Sequence, residues 1–395
     1  MNTFNNKALQ LYIHIPFCVG KCHYCDFLSF PFDNETCKSY IDGLISEIRS
    51  YKGAYRDYLV STIFIGGGTP SIIEGATIGS IINVLRDTFN ISSNAEITIE
   101  ANPESIAEED LGYWKNAGIN RVSIGLQSGN NLELKTLGRA HNCETFFHNY
   151  NIIIKYGFDS INIDLISGIP GQTLESYVNT LKIVTKLNPE HISAYSLIIE
   201  ENTPFWDKYG NHVESTNFST DYSITNEELD RHMYGITKSI LDEAGYTRYE
   251  ISNYSKEGYE CRHNLGYWNR VNYLGIGLGA SSLIESTRYK NIQDLKSYIR
   301  ICNGKDFSYK DIVSESEHLS PQDKMEEFMF LGLRKIKGIS LDDFKDQFDT
   351  PIFHVYGHVL DKLEKEKLLR VNGDNIHLTD RGLDISNYVF KEFLI

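Results

Sequence analysis

Three cysteines, Cys18, Cys22 and Cys25, stand at a C-x3-C-x2-C spacing. They follow an apolar run, Leu11 to Phe17, which predicts a buried strand. Pro16 falls near its end, where one ladder hydrogen bond can be lost. Thiolates this close can surround one small inorganic centre. Iron–sulfur clusters are usually held by four cysteines, and the local set supplies only three. If the centre is a four-iron cluster, one iron keeps a free coordination position, and in catalytic zinc such an open position marks reactivity. Gly20 allows a tight loop, and Phe17, Tyr24 and Phe27 can keep bulk water off the sulfurs. The competing chemistry is a zinc site with His14 or His23 as fourth ligand, although zinc ligands usually come as two separated pairs.

Four further groups could carry chemistry. Ile65-Gly66-Gly67-Gly68-Thr69-Pro70 lets backbone approach a ligand without side-chain clash, although tight turns use the same residues. Glu100, in Glu100-Ala101-Asn102-Pro103-Glu104, ends an apolar run where a buried carboxylate needs a partner: a ribose diol, an ammonium, or a lysine or arginine of the fold. Asp164 lies in the otherwise apolar SINIDLISG, Gln127 follows another apolar run, and Arg139 sits in LGRAHN. An arginine there can grip a ligand carboxylate in bidentate fashion or pair internally with Asp164. In Cys261-Arg262-His263-Asn264-Leu265-Gly266-Tyr267-Trp268, an imidazole stands among aromatic side chains. Haem iron uses histidine ligands and aromatic faces suit a flat macrocycle. The plain alternative for His263 is a hydrogen-bonded loop residue, and Cys261 is an alternative ligand.

These residues need elements to hold them. From residue 11 to about 200, apolar runs (Leu11–Phe17, Thr62–Ile65, Glu96–Glu100, Arg121–Leu126, Ser160–Ile166 and His191–Leu197) alternate with amphipathic stretches (Tyr40–Arg49, Ile78–Phe89, Glu108–Ala117, Cys143–Tyr156 and Leu174–Leu187). Six βα units in succession predict an α/β fold with a parallel sheet and helices outside. Right-handed crossovers curl such a sheet into a barrel or part of one. The alternation stops after Leu197, so a partial (β/α)6 barrel is expected in place of a complete eight-unit barrel. Functional groups then belong on loops at the carboxyl ends of the strands.

The expected domains are residues 1–200, the barrel with the cysteine loop; 201–318, an extension; and 319–395, a mostly helical unit. The extension reads as irregular, with a helix at Asn226–Ala244 capped by Thr225 and ended by Gly245, a strand-like Tyr246–Ile251, and the glycine-rich Gly275–Ser282. The last unit shows helices at Met325–Ile336, Leu341–Phe348 and Phe353–Leu368, a hairpin at Leu369–Leu378 turning at Asn372-Gly373, and a closing helix at Arg381–Phe393. Three helices and a hairpin make a winged-helix-like unit. Its acidic segments favour a lid or docking role over DNA binding.

Bulk composition narrows the classes. The 395 residues are 41% hydrophobic and 23% charged, as in an ordinary globular protein. A net charge of −15 argues against broad phosphate-backbone binding, so no nucleic acid partner is expected. MNTFNNKALQ has no basic segment leading into a long apolar core. No run of about 18 apolar residues suggests a membrane span. Seven cysteines, of which Cys37, Cys143, Cys261 and Cys302 are scattered, fit a reducing cytoplasm.

Taken together, LYIHIPFC, IGGGTPS, EANPES, GINRVSIGLQS, INIDLISGIPGQT, YEISNYS and ECRHNLGYWN resemble the oxygen-independent coproporphyrinogen III oxidase family of the radical S-adenosylmethionine (SAM) superfamily, and within it the haem chaperone branch. The true oxidases carry a further cysteine two positions after the third; here that position is Phe27. They also have a longer N-terminal extension. His263-Asn264-x-x-Tyr267-Trp268 matches the HNxxYW motif of the chaperone branch. The resemblance implies a [4Fe–4S] cluster on Cys18, Cys22 and Cys25, with SAM chelating the open iron. Tyr12, Gly67 and Glu100 match positions near that SAM. Tyr24, Gly68, Thr69, Gln127, Arg139 and Asp164 match positions that bind a second SAM in the oxidases. His263 is the expected haem contact. The implied protein is a cytoplasmic monomer or homodimer that takes up haem and delivers it to an acceptor haemoprotein, with peripheral contact to membrane haemoproteins allowed. The alternative is the oxidase itself, which decarboxylates two propionates by radical chemistry.

Overall fold

The computed structural model describes residues 7–213 and 227–394. Strand β1 (Lys7–Ile15) leads into a short parallel pair, β2 (Phe17–Cys18) and β3 (Phe30–Pro31), which brackets the cysteine loop. Then follow α1 (Asn34–Ser50), β4 (Tyr58–Gly67), α2 (Gly75–Thr88), β5 (Ile91–Ala101), α3 (Glu108–Ala117), β6 (Arg121–Gln127), α4 (Asn131–Thr136), α5 (Cys143–Tyr156), β7 (Ser160–Ser167), α6 (Leu174–Leu187) and β8 (His191–Ser196). β1, β4, β5, β6, β7 and β8 lie side by side in that order, all parallel. All six expected strands and the helices between them are present. The helix boundaries follow from caps: Asn142 and Thr173 accept the first-turn N–H groups of α5 and α6, and left-handed Gly118 stops α3.

Period-two alternation decides what each face carries. Leu9, Leu11, Ile13 and Ile15 of β1, Ile63 and Ile65 of β4, Val122, Ile124 and Leu126 of β6, and Ile161, Ile163 and Leu165 of β7 share one core with Ile81, Leu85, Trp114, Phe146 and Leu181 of the helices. The intervening residues face the barrel interior and are mostly polar. The register sets Gln10 beside Thr62, Thr62 beside Glu96, Glu100 beside Ser123, Ser123 beside Asn162, Asn162 beside His191, and Asp164 beside Ser193. Apolar burial outside the strands, at roughly 1.5–3 kcal/mol per large side chain, leaves the interior free to be a binding chamber.

The stretch expected to be irregular departs from that reading. It holds α7 (Pro204–Val213), α8 (Glu227–Glu243), β9 (Thr247–Arg248), β10 (Asn253–Ser255), α9 (Arg262–Trp268), β11 (Asn272–Ile276), β12 (Ser281–Ile284), β13 (Thr287–Asn291), α10 (Leu295–Cys302) and β14 (Val313–His318). The expected cap Thr225 and first helical residue Asn226 lie outside the described residues. These strands widen the sheet at both edges, giving the order β14-β13-β12-β11-β1-β4-β5-β6-β7-β8-β10-β9. β11 pairs with β1 in parallel, so a seventh parallel strand joins the partial barrel from far along the chain. Buried Glu47 of α1 fastens this addition. It accepts from the Gly277 N–H, the Asn291 amide and the Tyr298 hydroxyl, and burial pushes its carboxyl up to about 7.

The final unit comprises α11 (Pro321–Gly332), β15 (Ile339–Ser340), α12 (Leu341–Phe348), α13 (Ile352–Lys365), β16 (Leu369–Asn372), β17 (Asn375–Leu378), α14 (Asp380–Asp384) and α15 (Ser386–Lys391). The hairpin is β16–β17, joined by β15 in a three-stranded sheet. The single closing helix expected from the sequence is two short ones, broken at Ile385. Met329, Leu333, Phe344, Tyr356, Leu363, Ile376 and Phe393 form a separate core. Buried Glu327 ties this unit to the rest, accepting from Arg270 at 2.9 Å and Arg288 at 2.6 Å.

Candidate functional site

The carboxyl ends of the strands hold the cysteine loop. Cys18, Cys22 and Cys25 line one cavity of about 390 Å³ together with Tyr24, Gly67, Gly68, Thr69, Glu100, Gln127, Arg139 and Asp164. Backbone bonds set the loop: Phe30 N–H to the Pro16 carbonyl at 2.8 Å and Phe32 N–H to the Cys18 carbonyl at 2.9 Å. The glycine run is needed for close approach. A Cβ on Gly68 would lie 2.6 Å from the Phe17 carbonyl oxygen and 3.0 Å from Cys18 Sγ. Two side chains donate toward the sulfurs, Thr69 Oγ1 to Cys18 Sγ and Arg139 Nη1 to Cys22 Sγ, both at 3.5 Å. Donors and positive charge beside sulfur favour thiolate and tune a cluster.

A single zinc ion fits poorly. Among the described residues no three His, Cys, Asp or Glu side chains converge on one ion. Neither candidate fourth ligand lines the cysteine cavity: His14 has both ring nitrogens engaged, Nε2 with the Leu28 carbonyl and Nδ1 with the Tyr12 hydroxyl, and His23 Nδ1 bonds the Thr136 carbonyl. Three thiols around one cavity, with donors aimed at two of them, suit a larger multi-iron group. Gln127 Oε1 and Arg139 Nε are buried there with no partner in the protein, as polar atoms awaiting a polar ligand would be.

Gln127 is in the left-handed region at φ 65°, where β6 and β7 slip register. Such a bulge re-aims a side chain. Arg139 does not pair with Asp164; its Nη2 donates to Asn102 Oδ1 at 2.6 Å. Asp164 accepts from Ser123 and Asn162. Glu100 accepts from the Gly67 N–H at 3.1 Å, and burial, reinforced by Asp164, pushes its carboxyl up to about 7. Asn102 was not singled out from the sequence, although it stands beside Glu100. It joins Thr69 to Arg139, donating to Thr69 Oγ1 at 2.9 Å.

A second cavity, about 690 Å³, fills the barrel interior below the first. Gly67, Glu100, Ser123, Asp164, Tyr195, Asp26 and Phe27 border both. Tyr12 faces this chamber and not the cysteine cavity, and shares it with Gly67 and Glu100. Its remaining walls include Phe64, Tyr267, Tyr273 and His263.

His263 belongs to α9, which closes the amino end of the barrel. Gly266 permits that fit, because a Cβ there would fall 2.1 Å from Gln10 Nε2. Glu96 on β5 accepts from the Arg262 and His263 N–H groups, each at 3.0 Å. His263 stacks on Phe64 at 5.1 Å. Its Nδ1 bonds Thr62 Oγ1 at 2.7 Å and its Nε2 bonds Tyr267 Oη at 3.1 Å. Burial, with the nearby charge of Arg121, pushes the imidazole down to about 3. A ligand on Nε2 must displace Tyr267. Cys261 borders neither cavity, and burial pushes its thiol up to about 12.

The chain matches the Radical SAM superfamily over residues 12–184 and the HemN C-terminal domain over residues 319–385. It is 33% identical to the heme chaperone HemW of Lactococcus lactis subsp. lactis (strain IL1403) over 389 residues, 98% of each chain. It is 34% identical to that of Bacillus subtilis (strain 168) over 384 residues, 97% of this chain and 98% of the relative. The fold matches the solved structure of coproporphyrinogen III oxidase (HemN) from Escherichia coli at a TM-score of 0.82 and 24% identity, covering 99% of this chain and 92% of that one.

Proposed function

The chain belongs to the HemW family of the radical SAM superfamily, and on that premise we propose that it is a cytoplasmic haem chaperone, passing haem to an acceptor haemoprotein. Membership of the superfamily implies a [4Fe–4S] cluster and SAM. The observation that carries the haem reading is the adjacency of the two cavities: the cysteine site opens onto an aromatic chamber that holds His263.

In this reading Cys18, Cys22 and Cys25 hold the cluster. When bound, the cluster supplies an iron with a position free for the amino and carboxylate groups of SAM. Arg139 and Thr69 stabilise the sulfurs through their donated hydrogen bonds. Gly67 and Glu100 border the SAM site, with Tyr12 on the chamber side of them. Tyr24, Gly68, Thr69, Gln127, Arg139 and Asp164 form a second polar set around the same space. Haem lies in the larger chamber against Phe64, Tyr267 and Tyr273. His263, kept neutral by its lowered pKa, ligates the iron when Tyr267 releases Nε2. A neutral imidazole is the form that binds metal. Among the described residues no helix is long and apolar enough to cross a membrane.

Anaerobic reconstitution followed by haem titration tests the proposal. A shifted Soret band that weakens in His263→Ala is expected. No shift in the parent protein, or an unchanged one in the variant, overturns the haem site. The oxidase alternative predicts protoporphyrinogen on anaerobic incubation with coproporphyrinogen III, and its appearance would replace the chaperone reading.

A further inference from the structure

Arg121 is the first residue of β6 and shares the interior face with Ser123 and Gln127. Its side chain lines the larger chamber at the end of the strand farthest from the cysteine loop. The residue is 4% exposed. No ion pair within 4 Å involves it among the described residues, and its Nε has no hydrogen-bond partner. The carboxylates whose charge reaches it are already engaged. Glu96 accepts from the first turn of α9, and Asp164 accepts from Ser123 and Asn162. Glu100, across the chamber, accepts from Gly67. A buried guanidinium whose counter-charges stay out of contact is costly to the fold. A planar fork of donors left open in a chamber wall matches one chemistry best, a carboxylate.

We infer that Arg121 is a carboxylate receptor at the floor of the chamber. Resting on the haem reading above, the ligand group it takes is a propionate of the porphyrin. The macrocycle would then enter with its propionate edge toward Arg121 and its faces against Phe64, Tyr267 and Tyr273. Lys290, half-buried in the same wall, is the other cation lining the chamber.

Metal-free protoporphyrin IX and its dimethyl ester test this without calling on His263 or iron. Binding is read by quenching of protein fluorescence, using the full chain. The free acid should bind the parent protein roughly tenfold tighter than the ester, as one charge-assisted contact requires. Arg121→Gln should bind both forms alike, while Arg121→Lys should keep part of the preference. Unfolding midpoints show whether each variant is folded, and the acid–ester comparison on the parent protein needs no variant. Equal binding of acid and ester by the parent protein overturns the inference and leaves Arg121 as a counter-charge for Glu96 and Asp164. A preference that survives in folded Arg121→Gln also overturns it, with Lys290 as the receiving group. If haem gives no Soret shift but the porphyrin acid binds through Arg121, the iron-ligation reading fails and this inference stands. If neither porphyrin binds, it falls.

Discussion

Glu96 offers the sharpest test of how the fold aims His263. Helix α9 has seven residues, too few to be stable alone. Its N-cap is Cys261, whose side chain makes no capping bond. The cap comes from another element: the Glu96 carboxylate accepts from both Arg262 N–H and His263 N–H, two of the donors a helix start leaves orphaned. Glu96→Ala removes both acceptors. At about 1.5 kcal/mol for each hydrogen bond to a charged group, the variant should lose about 3 kcal/mol of stability. Glu96→Gln keeps one acceptor oxygen and should lose roughly half as much. Urea unfolding followed by circular dichroism reads the loss, and haem titration should weaken alongside it because His263 is no longer held against Thr62. An alanine variant within about 0.5 kcal/mol of the parent protein, the size of an ordinary surface change, refutes the capping argument.

Glu47 should impose a pH dependence. Its folded-state carboxyl lies at about 7 against 4.5 when unfolded, so the folded state holds the proton more tightly. Its contribution to stability is then full below pH 4.5 and is lost as pH rises through 7, roughly 3 kcal/mol in all. Glu47→Gln should flatten that decline; parallel declines in the two proteins would contradict it. For the metal centre, Cys18→Ser, Cys22→Ser and Cys25→Ser should each abolish the brown absorbance and the bound iron and sulfide. Cys37→Ser, Cys143→Ser and Cys302→Ser should leave them, and a cluster that survives Cys22→Ser would refute the three-cysteine assignment.

Much of the architecture was legible locally. The three cysteines stand within one loop, and the strands and helices up to Ser196 are consecutive, so spacing and periodicity reveal them. The polar half of each strand was legible as well, in the alternation of LYIHI, EITIEAN and SINIDLIS. Read simply as apolar runs, these stretches conceal Asn102 and Asn162, and RVSIGLQ of β6 conceals Arg121. The helix boundaries of α3, α5, α6 and α12 followed from residues beside them in the chain.

Other features had no local signature. β11 reads as a loop because its parallel partner is β1, distant in sequence, with β12 on its other side. His263 stands in a motif that suggests a ligand, yet whether its nitrogens are free depends on Thr62 and Tyr267. Arg121 looks like any strand-end arginine until the barrel closes around it without a carboxylate partner. The amino-acid sequence by itself determined which residues could do chemistry and which elements carry them. Only the tertiary structure decided which of them meet, because the meeting depends on strand register and on close approaches between segments with no covalent reason to be near.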